Sequence, residues 1–486
     1  MTTHELIEFI NPLNTSRYKP EGEIGALVQN SRQVEDGSVF IAIRGTEVDG
    51  HMFLEDAIHR GAKVLICEES YYTDAKVCVI EVENTRSLIG PLAQKMAGNP
   101  GNELKIIGIT GTNGKTTTAT LVYQTLSALG EKVSLLGTVE KKILDKSLDS
   151  RLTTADPIEL AADMNAMVEA GSKYLVMEVS SHALHQERVG GFNFTVAAFT
   201  NLSQDHLDYH STIEEYAAAK KILFDGLTAQ SSAIINMDDE QGSFVISDTK
   251  AKIFKLSFND NAKIIENSPS GLKISVNGIE LSSSLVGDFN AYNLAEAFQI
   301  CTELGFDGKK AASALSSVKG APGRMEAVTS DQSSDLPKVI VDYAHTPDAL
   351  KNVLKTLVEM RSQNQFIYCV FGAGGDRDSS KRPEMAKAAL LYADEIIVTS
   401  DNPRTENPDL IIADILQGFE STENVMSITS RRDAIYKAVE LASSNDIILI
   451  AGKGHEDYQE VNGERHSFDD RLIAKEALEV KAKGGF

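Results

Sequence analysis

Cysteine is sparse in this chain. The four present, Cys67, Cys78, Cys301 and Cys369, are scattered and form no Cys-x-x-Cys pair. That excludes a cysteine-based zinc cluster and fits a reducing compartment. Long apolar runs are missing too: none is long enough to span a bilayer, and the polar N-terminus shows no signal-peptide pattern. The expectation is a cytoplasmic protein without membrane insertion. Positive charge is also short, with 47 Lys and Arg against 70 Asp and Glu and a formal charge of −23. No nucleic-acid partner is expected, because a phosphate backbone would be repelled by most of the surface. Small anionic ligands would need local basic clusters. Repeats and low-complexity tracts are absent.

What remains is an ordinary globular composition, 42% hydrophobic and 24% charged over 486 residues, enough for roughly three domains at about 150 residues each. The first hundred residues carry strand-like runs at 39–43, 64–67 and 77–82, then a breaker-rich linker at 97–102. The middle segment alternates strands (106–109, 133–136, 174–179, 196–200, 233–236) with helices, which predicts a mainly parallel covered sheet. Within it, about 245–285 has the short alternation of a small antiparallel sheet. After the breaker at 320–323 a new series begins, with strands at 339–342, 366–371, 396–399 and 447–450. The fold class expected is α/β in three domains: a smaller N-terminal unit (1–102), a central P-loop-type ATPase sheet (103–325) and a C-terminal Rossmann-like doubly wound sheet (326–486).

The segment Gly108-Ile-Thr-Gly-Thr-Asn-Gly-Lys-Thr-Thr-Thr118 sits where a strand ends and a helix begins, with Val122, Leu126 and Leu129 as the helix's apolar face. Its glycines let backbone N–H groups close around phosphate oxygens at a helix N-terminus. Lys115 then reaches the β/γ-phosphates, and the Thr116 hydroxyl is placed to ligate Mg²⁺. The usual pattern has Gly at position 109, where this chain has Ile. Ligands of open parallel sheets lie beyond the carboxyl ends of strands. Glu178, the run 201–206, Asp342 to His345, 372–377, 401–404 and 452–456 all fall at such ends. One polar turn there means little; six point to two sites, one in each α/β domain.

On the helix 213–224, Lys220 projects into the middle of the apolar stripe and Lys221 toward its edge. Two readings stand open: a snorkelling stem, or a buried amine of lowered pKa that adds CO₂ to become a metal-ligating carbamate. Glu178 and His206 are candidate Mg²⁺ holders at the same sheet edge as Thr116, a carboxylate being the more usual ligand.

Taken together, Gly111, Thr112, Asn113, Gly114, Lys115, Thr116 and Thr117 resemble the ATP loop of the Mur ligases of peptidoglycan synthesis. So do the runs 178–183, 201–210, 287–293 and 322–326. Ser31-Arg32, Asp49-Gly-His51, Thr153-Thr154, 401–404 and 452–456 resemble the branch that adds diaminopimelate as third peptide residue. The resemblance covers all three segments. It implies ATP and Mg²⁺ as cofactors, with UDP-N-acetylmuramoyl dipeptide and meso-diaminopimelate as small-molecule substrates; a monomer is expected, although composition does not give the oligomeric state. Its ATP contacts fall on Lys115, Thr116, Asn290 and Arg324, with Asp342 reaching the nucleotide from the last domain. Its metal site falls on Thr116, Glu178, His206 and a carbamylated Lys220, deciding that contest. Ser31, Thr153, Thr154, Ser180, Gln186 and Arg188 resemble contacts to the UDP-sugar-peptide. Arg377, Asp401, Asn402, Pro403, Arg404, Gly452 and Glu456 resemble the diaminopimelate pocket. Ala373 replaces a frequent cysteine, Ser379-Ser380 a frequent Lys-Gly and Ser211 a usual Gly.

The implied reaction is amide formation through an acyl phosphate. The chemistry-bearing groups expected are Lys115, His206, Lys220 and Asp342, with His206 or His345 as base for the incoming amine. Arg404 is the specificity residue: its guanidinium fork suits the distal carboxylate that separates diaminopimelate from lysine. A turn-capping surface salt bridge is the plainer reading of Arg404. Ligation of L-lysine, folylpolyglutamate synthesis and a ligase-inactive nucleotide switch are the alternatives. A guanine-reading Asn/Thr-Lys-x-Asp loop is not found.

Overall fold

The computed structural model describes residues 1–45, 48–148, 152–268, 271–328, 330 and 335–486. The chain has three α/β domains. Its backbone divides into two compact units, 1–259 with 296–311, and 260–295 with 312–486.

In the first unit, a five-stranded sheet runs in the order Asn14–Thr15, Cys78–Glu81, Val64–Cys67, Val39–Ile41, Leu27–Val28. It is parallel apart from the first strand. The central sheet has eight strands, ordered Lys252–Leu256, Ser232–Asn236, Phe194–Phe199, Lys105–Thr110, Tyr174–Glu178, Val133–Leu136, Lys141–Ile143, Lys146–Leu148. The last two form an antiparallel hairpin on an otherwise parallel sheet. The central strands are continuous apolar runs, as burial on both faces requires. Ile106, Met177, Ala197 and Ile235 pack with Leu223 and Phe224 of the helix Ile213–Asp225.

The order places Lys105–Thr110, the earliest strand of this sheet, between two later ones. Glu178 pairs opposite Ile109, and Phe199 opposite Thr110. The strand order reverses at this point, so crossovers leave a crevice above the carboxyl ends. The helix Lys115–Ala128 follows directly. It is buried around most of its girth, including Thr116, Thr117, Thr118, Thr120 and Thr125, and Leu129 lies beyond its end. The expected single apolar face is therefore too narrow a description, because neighbours cover this helix on several sides.

In the second unit, Ala262–Ser268, Gly271–Val276 and Ile279–Ser283 form a three-stranded antiparallel sheet. The expected small sheet is present, but Lys252–Leu256 belongs to the central sheet instead. The C-terminal sheet runs Glu326–Val328, Lys338–Asp342, Ile447–Ala451, Ile367–Phe371, Glu395–Val398, Val425–Ser427, antiparallel only at its first strand. Here too the last-formed parallel strand inserts beside the first, bringing the loops after Asp342, Phe371, Val398 and Ala451 to one edge.

Candidate active site

The phosphate loop is shaped by two glycines. Gly111 has φ +151°, and a Cβ built there would lie 1.9 Å from Thr200 Oγ1, so a side chain cannot be accommodated. Gly114 has φ +87° and begins the helix without any side-chain cap. Gly114 thus offers the helix start no side-chain acceptor, and such a start suits an anion. The residues after the next strand hold the loop open. Asn201 accepts from Asn113 N–H through Oδ1 (2.9 Å) and from Thr112 N–H through its carbonyl (2.8 Å), while Thr200 Oγ1 donates to the Asn113 carbonyl. Lys115 Nζ curls back onto the carbonyls of Gly111 (2.9 Å) and Thr112 (2.8 Å).

Glu178 closes its strand 1% exposed. Its oxygens accept from Thr116 Oγ1 (2.9 Å), Thr138 N–H (2.8 Å) and Thr138 Oγ1 (3.1 Å). Among the described residues no ion pair reaches this carboxylate. A buried carboxyl group beside a hydroxyl, held among the described residues by neutral donors, is a hard-oxygen pair suited to a divalent cation. Lys220 is also 1% exposed. Its Nζ donates to the Gly111 carbonyl at 2.8 Å and lies 4.3 Å from the Tyr216 ring centroid. Burial, reinforced by the Lys115 charge, holds its amine well below the usual lysine range. Two lysines therefore converge on one carbonyl oxygen. His206 is half-exposed, edge-on to His182 (4.9 Å) and 6.0 Å from the Tyr216 ring. Among the described residues no three His, Cys, Asp or Glu side chains converge on one metal position. A cation here would draw its remaining ligands from hydroxyls and phosphate oxygens.

Beside Glu178 lie most of the residues expected to meet the UDP-sugar-peptide. Thr153 accepts from Thr138 Oγ1 (3.0 Å), and Thr154 Oγ1 donates to the Glu178 carbonyl (2.9 Å). Ser180 N–H donates to Thr154 Oγ1 (3.1 Å). Arg188 donates to the Thr154 carbonyl (2.8 Å) and to Gln186 Oε1 (2.7 Å). Ser31 opens a one-turn helix in the N-terminal sheet domain and shares no described contact with that group.

In the second unit, Asp342 is buried and accepts from Met325 N–H (2.7 Å) and Ala344 N–H (2.8 Å). Burial raises its carboxyl pKa, and Arg324 opposes the rise. The Arg324 guanidinium lies over the Tyr343 ring, 4.6 Å from its centroid. Asn290, 1% exposed, donates to the Val286 carbonyl (2.8 Å) from the start of the helix Asp288–Glu303. The expected amino-acid residues gather along the adjoining loops. Arg404, at φ +50°, donates to the Gly375 carbonyl (2.7 Å) and approaches Glu460 (3.6 Å). Arg377 is exposed, and a Cβ at Gly374 would touch both Arg404 Nη1 (3.0 Å) and Arg377 Cγ (3.8 Å). The Pro403 carbonyl packs against Gly375, where a Cβ would clash at 2.0 Å. Asp401 Oδ2 is buried with no hydrogen-bond partner among the described residues, 3.9 Å from Arg431 Nη1, and a Cβ at Gly452 would lie 2.4 Å from it. Asn402 donates to Glu456 Oε2 at 2.8 Å.

Family models match this chain along most of its length: the Mur ligase middle domain at 109–301, the Mur ligase glutamate ligase domain at 323–454 and the Mur ligase family catalytic domain at 23–96. The chain belongs to the Mur ligase family. It is 43% identical over 491 residues to the UDP-N-acetylmuramoyl-L-alanyl-D-glutamate–2,6-diaminopimelate ligase of Cytophaga hutchinsonii, covering 99% of this chain and 100% of that protein. The ligase of that name from Listeria monocytogenes is 42% identical over 495 residues, 99% of each. A solved structure of a ligase so named superposes with a TM-score of 0.72 at 34% identity, covering 99% of both chains. A folylpolyglutamate synthase of Mycobacterium tuberculosis shares the fold, with a TM-score of 0.60 at 20% identity over 76% of this chain and 92% of that one.

An ATP-dependent Mur ligase thus carries these loops, and several supporting residues in it escape a reading by motif. Thr138 gives Glu178 two of its hydrogen bonds. Its one sequence signal is a position just past a strand end, after Gly137. Tyr216 is visible only as part of an apolar stripe, yet its hydroxyl accepts from Thr112 Oγ1 (3.2 Å) and its ring covers Lys220. Lys453 lies inside a quoted motif, but its burial is set by tertiary packing alone. Ser211 keeps the loop shape usually made by glycine, at φ +61°.

Proposed function

We propose that this Mur ligase joins meso-2,6-diaminopimelate to UDP-N-acetylmuramoyl-L-alanyl-D-glutamate in peptidoglycan precursor synthesis, with ATP cleaved to ADP and phosphate. The observation that carries the reading is Thr116 hydrogen-bonded to the buried Glu178 at a phosphate loop, in a chain 43% identical to a ligase of that name over 99% of its length. The functional division proposed is 1–102 for the uridine end of the substrate, 103–325 for ATP and 326–486 for the incoming amino acid.

A carboxylate oxygen of the D-glutamate unit attacks the γ-phosphorus of ATP. The bond to ADP breaks and an acyl phosphate remains. The neutral amine of diaminopimelate then attacks the acyl carbon; phosphate leaves and the amine proton passes to a base, His206 or His345. Lys115 leaves its two carbonyls to neutralise the β/γ-phosphates, since an ammonium held by neutral acceptors is readily claimed by an anion. Thr116, Glu178, His206 and Lys220 would hold Mg²⁺, which when bound supplies charge stabilisation to the phosphoryl oxygens. Lys220 enters this set as a carbamate. Its amine adds CO₂, forming an N–C bond and releasing one proton. The remaining N–H can still donate to the Gly111 carbonyl, and the new anion would join the groups that would hold the cation. Arg404 and Arg377 take the distal carboxylate, and Asp401 with Glu456 the ammonium groups.

The test is a substrate panel. ATP turnover is expected only with the UDP-dipeptide and meso-diaminopimelate together. Equal kcat/KM for L-lysine would replace this reading with the lysine-adding one. Turnover without either substrate would point to a nucleotide switch.

A further inference from the structure

Lys453 has no role in the scheme above. Its side chain is 0% exposed, and its ammonium donates to Asn402 Oδ1 (3.0 Å) and Glu456 Oε2 (2.9 Å), 5.4 Å from the Tyr458 ring centroid. Asn402 completes a triangle: its Nδ2 donates to the same Glu456 Oε2 (2.8 Å), and its Oδ1 also accepts from Glu460 N–H (2.9 Å). A primary amide can rotate to exchange oxygen for nitrogen, but an ammonium only donates. Lys453, with the Glu460 N–H beside it, therefore turns the amide oxygen toward itself and the amide nitrogen toward Glu456. Both donors fall on Oε2, and Oε1 of Glu456 takes neither. The buried Lys453 ammonium, 2.9 Å from Oε2, also fixes the Glu456 carboxylate in one rotamer.

We infer that Lys453 is a positioning residue of the amino-acid pocket, locking the Asn402 amide and the Glu456 carboxylate so that Oε1 receives an ammonium group of the diamino acid. This rests on the proposed function, and the two fail differently. A lysine that only fills space would affect stability without selecting one substrate.

The experiment is steady-state kinetics of the full-length enzyme with ATP, UDP-dipeptide and meso-diaminopimelate. No turnover by the unaltered enzyme sinks the functional reading. Given turnover, Lys453→Met is expected to raise KM for diaminopimelate about tenfold or more while KM for ATP stays within about twofold. Combining it with Glu456→Gln is expected to cost far less than the product of the single effects, because both act on one carboxylate. Parallel rises in both KM values, or multiplicative effects, would overturn the inference. Lys453→Gln serves if the Met variant does not fold. Neutron diffraction from the unaltered enzyme needs no substitution: Asn402 Nδ2 deuterons directed at Glu456 support the assignment, and deuterons directed at Lys453 refute it.

Discussion

Ser211 holds φ +61° and ψ −42° immediately after the one-turn helix Leu207–His210. A side chain in that conformation stores about 1 kcal/mol or more of strain. Ser211→Gly is therefore expected to stabilise the protein by about 1 kcal/mol, read as a higher thermal midpoint. Lys220 makes a chemical prediction. Lys220→Ala should lower kcat by roughly a hundredfold or more, as removal of a transition-state charge does, with partial recovery in added short carboxylates. Electron density or intact mass showing only a free amine in active enzyme would refute carbamylation. At Arg404, Arg404→Ala should raise KM for diaminopimelate at least about tenfold and leave KM for ATP nearly unchanged; equal effects on both would return it to a turn-capping role. Lys220 was legible because a 3.6-residue period places it among apolar neighbours. Thr138 was not, because a lone threonine past a strand carries no periodic or motif signal.

Glu296 shows what happens between elements. It lies on the helix Asp288–Glu303 at 0% exposure, where Thr118 Oγ1 of the phosphate-loop helix donates to its Oε2 (3.3 Å) and Oε1 has no hydrogen-bond partner among the described residues. Burial pushes its carboxyl well above the usual range. The native state thus keeps a proton that the unfolded chain gives up near its ordinary pKa of 4.5. Stability from this group is whole below that pH and is lost as pH rises toward the folded-state value, with a slope up to about 1.4 kcal/mol per pH unit. Glu296→Gln has no charge to bury. It should flatten this alkaline-going loss and raise the thermal midpoint at neutral pH; an unchanged pH profile would show that Glu296 is ionised in the fold. Nothing in the local pattern distinguishes Glu296 from a surface helix position. The hairpin Lys141–Ile143 and Lys146–Leu148 was likewise invisible, since three-residue, lysine-rich, half-exposed strands lack the apolar alternation that marks a strand.

Over the whole molecule, a charge of −23 coexists with ligands that are themselves anions. The arrangement works because binding is decided locally, where Lys115 lies at the phosphate loop, while the rest of the surface repels polyanions. Duplex DNA is expected to bind with Kd weaker than about 100 μM at physiological salt, measured by fluorescence anisotropy. A micromolar affinity would mean that a continuous basic surface exists.

Composition, apolar runs and the glycine-threonine loop were sufficient to determine the three α/β domains, to place the long core strands to within about two residues and to single out the proposed phosphate-binding segment, because these follow from short-range sterics and burial. Only the tertiary structure decided which strands are neighbours, and with them the site. Thr116 reaches Glu178 across 62 residues, and Lys220 reaches Gly111 across 109. Such pairings depend on crossovers that return distant strands to one edge, and the free energy selecting them comes from packing the whole sheet rather than from any residue's own neighbours in sequence.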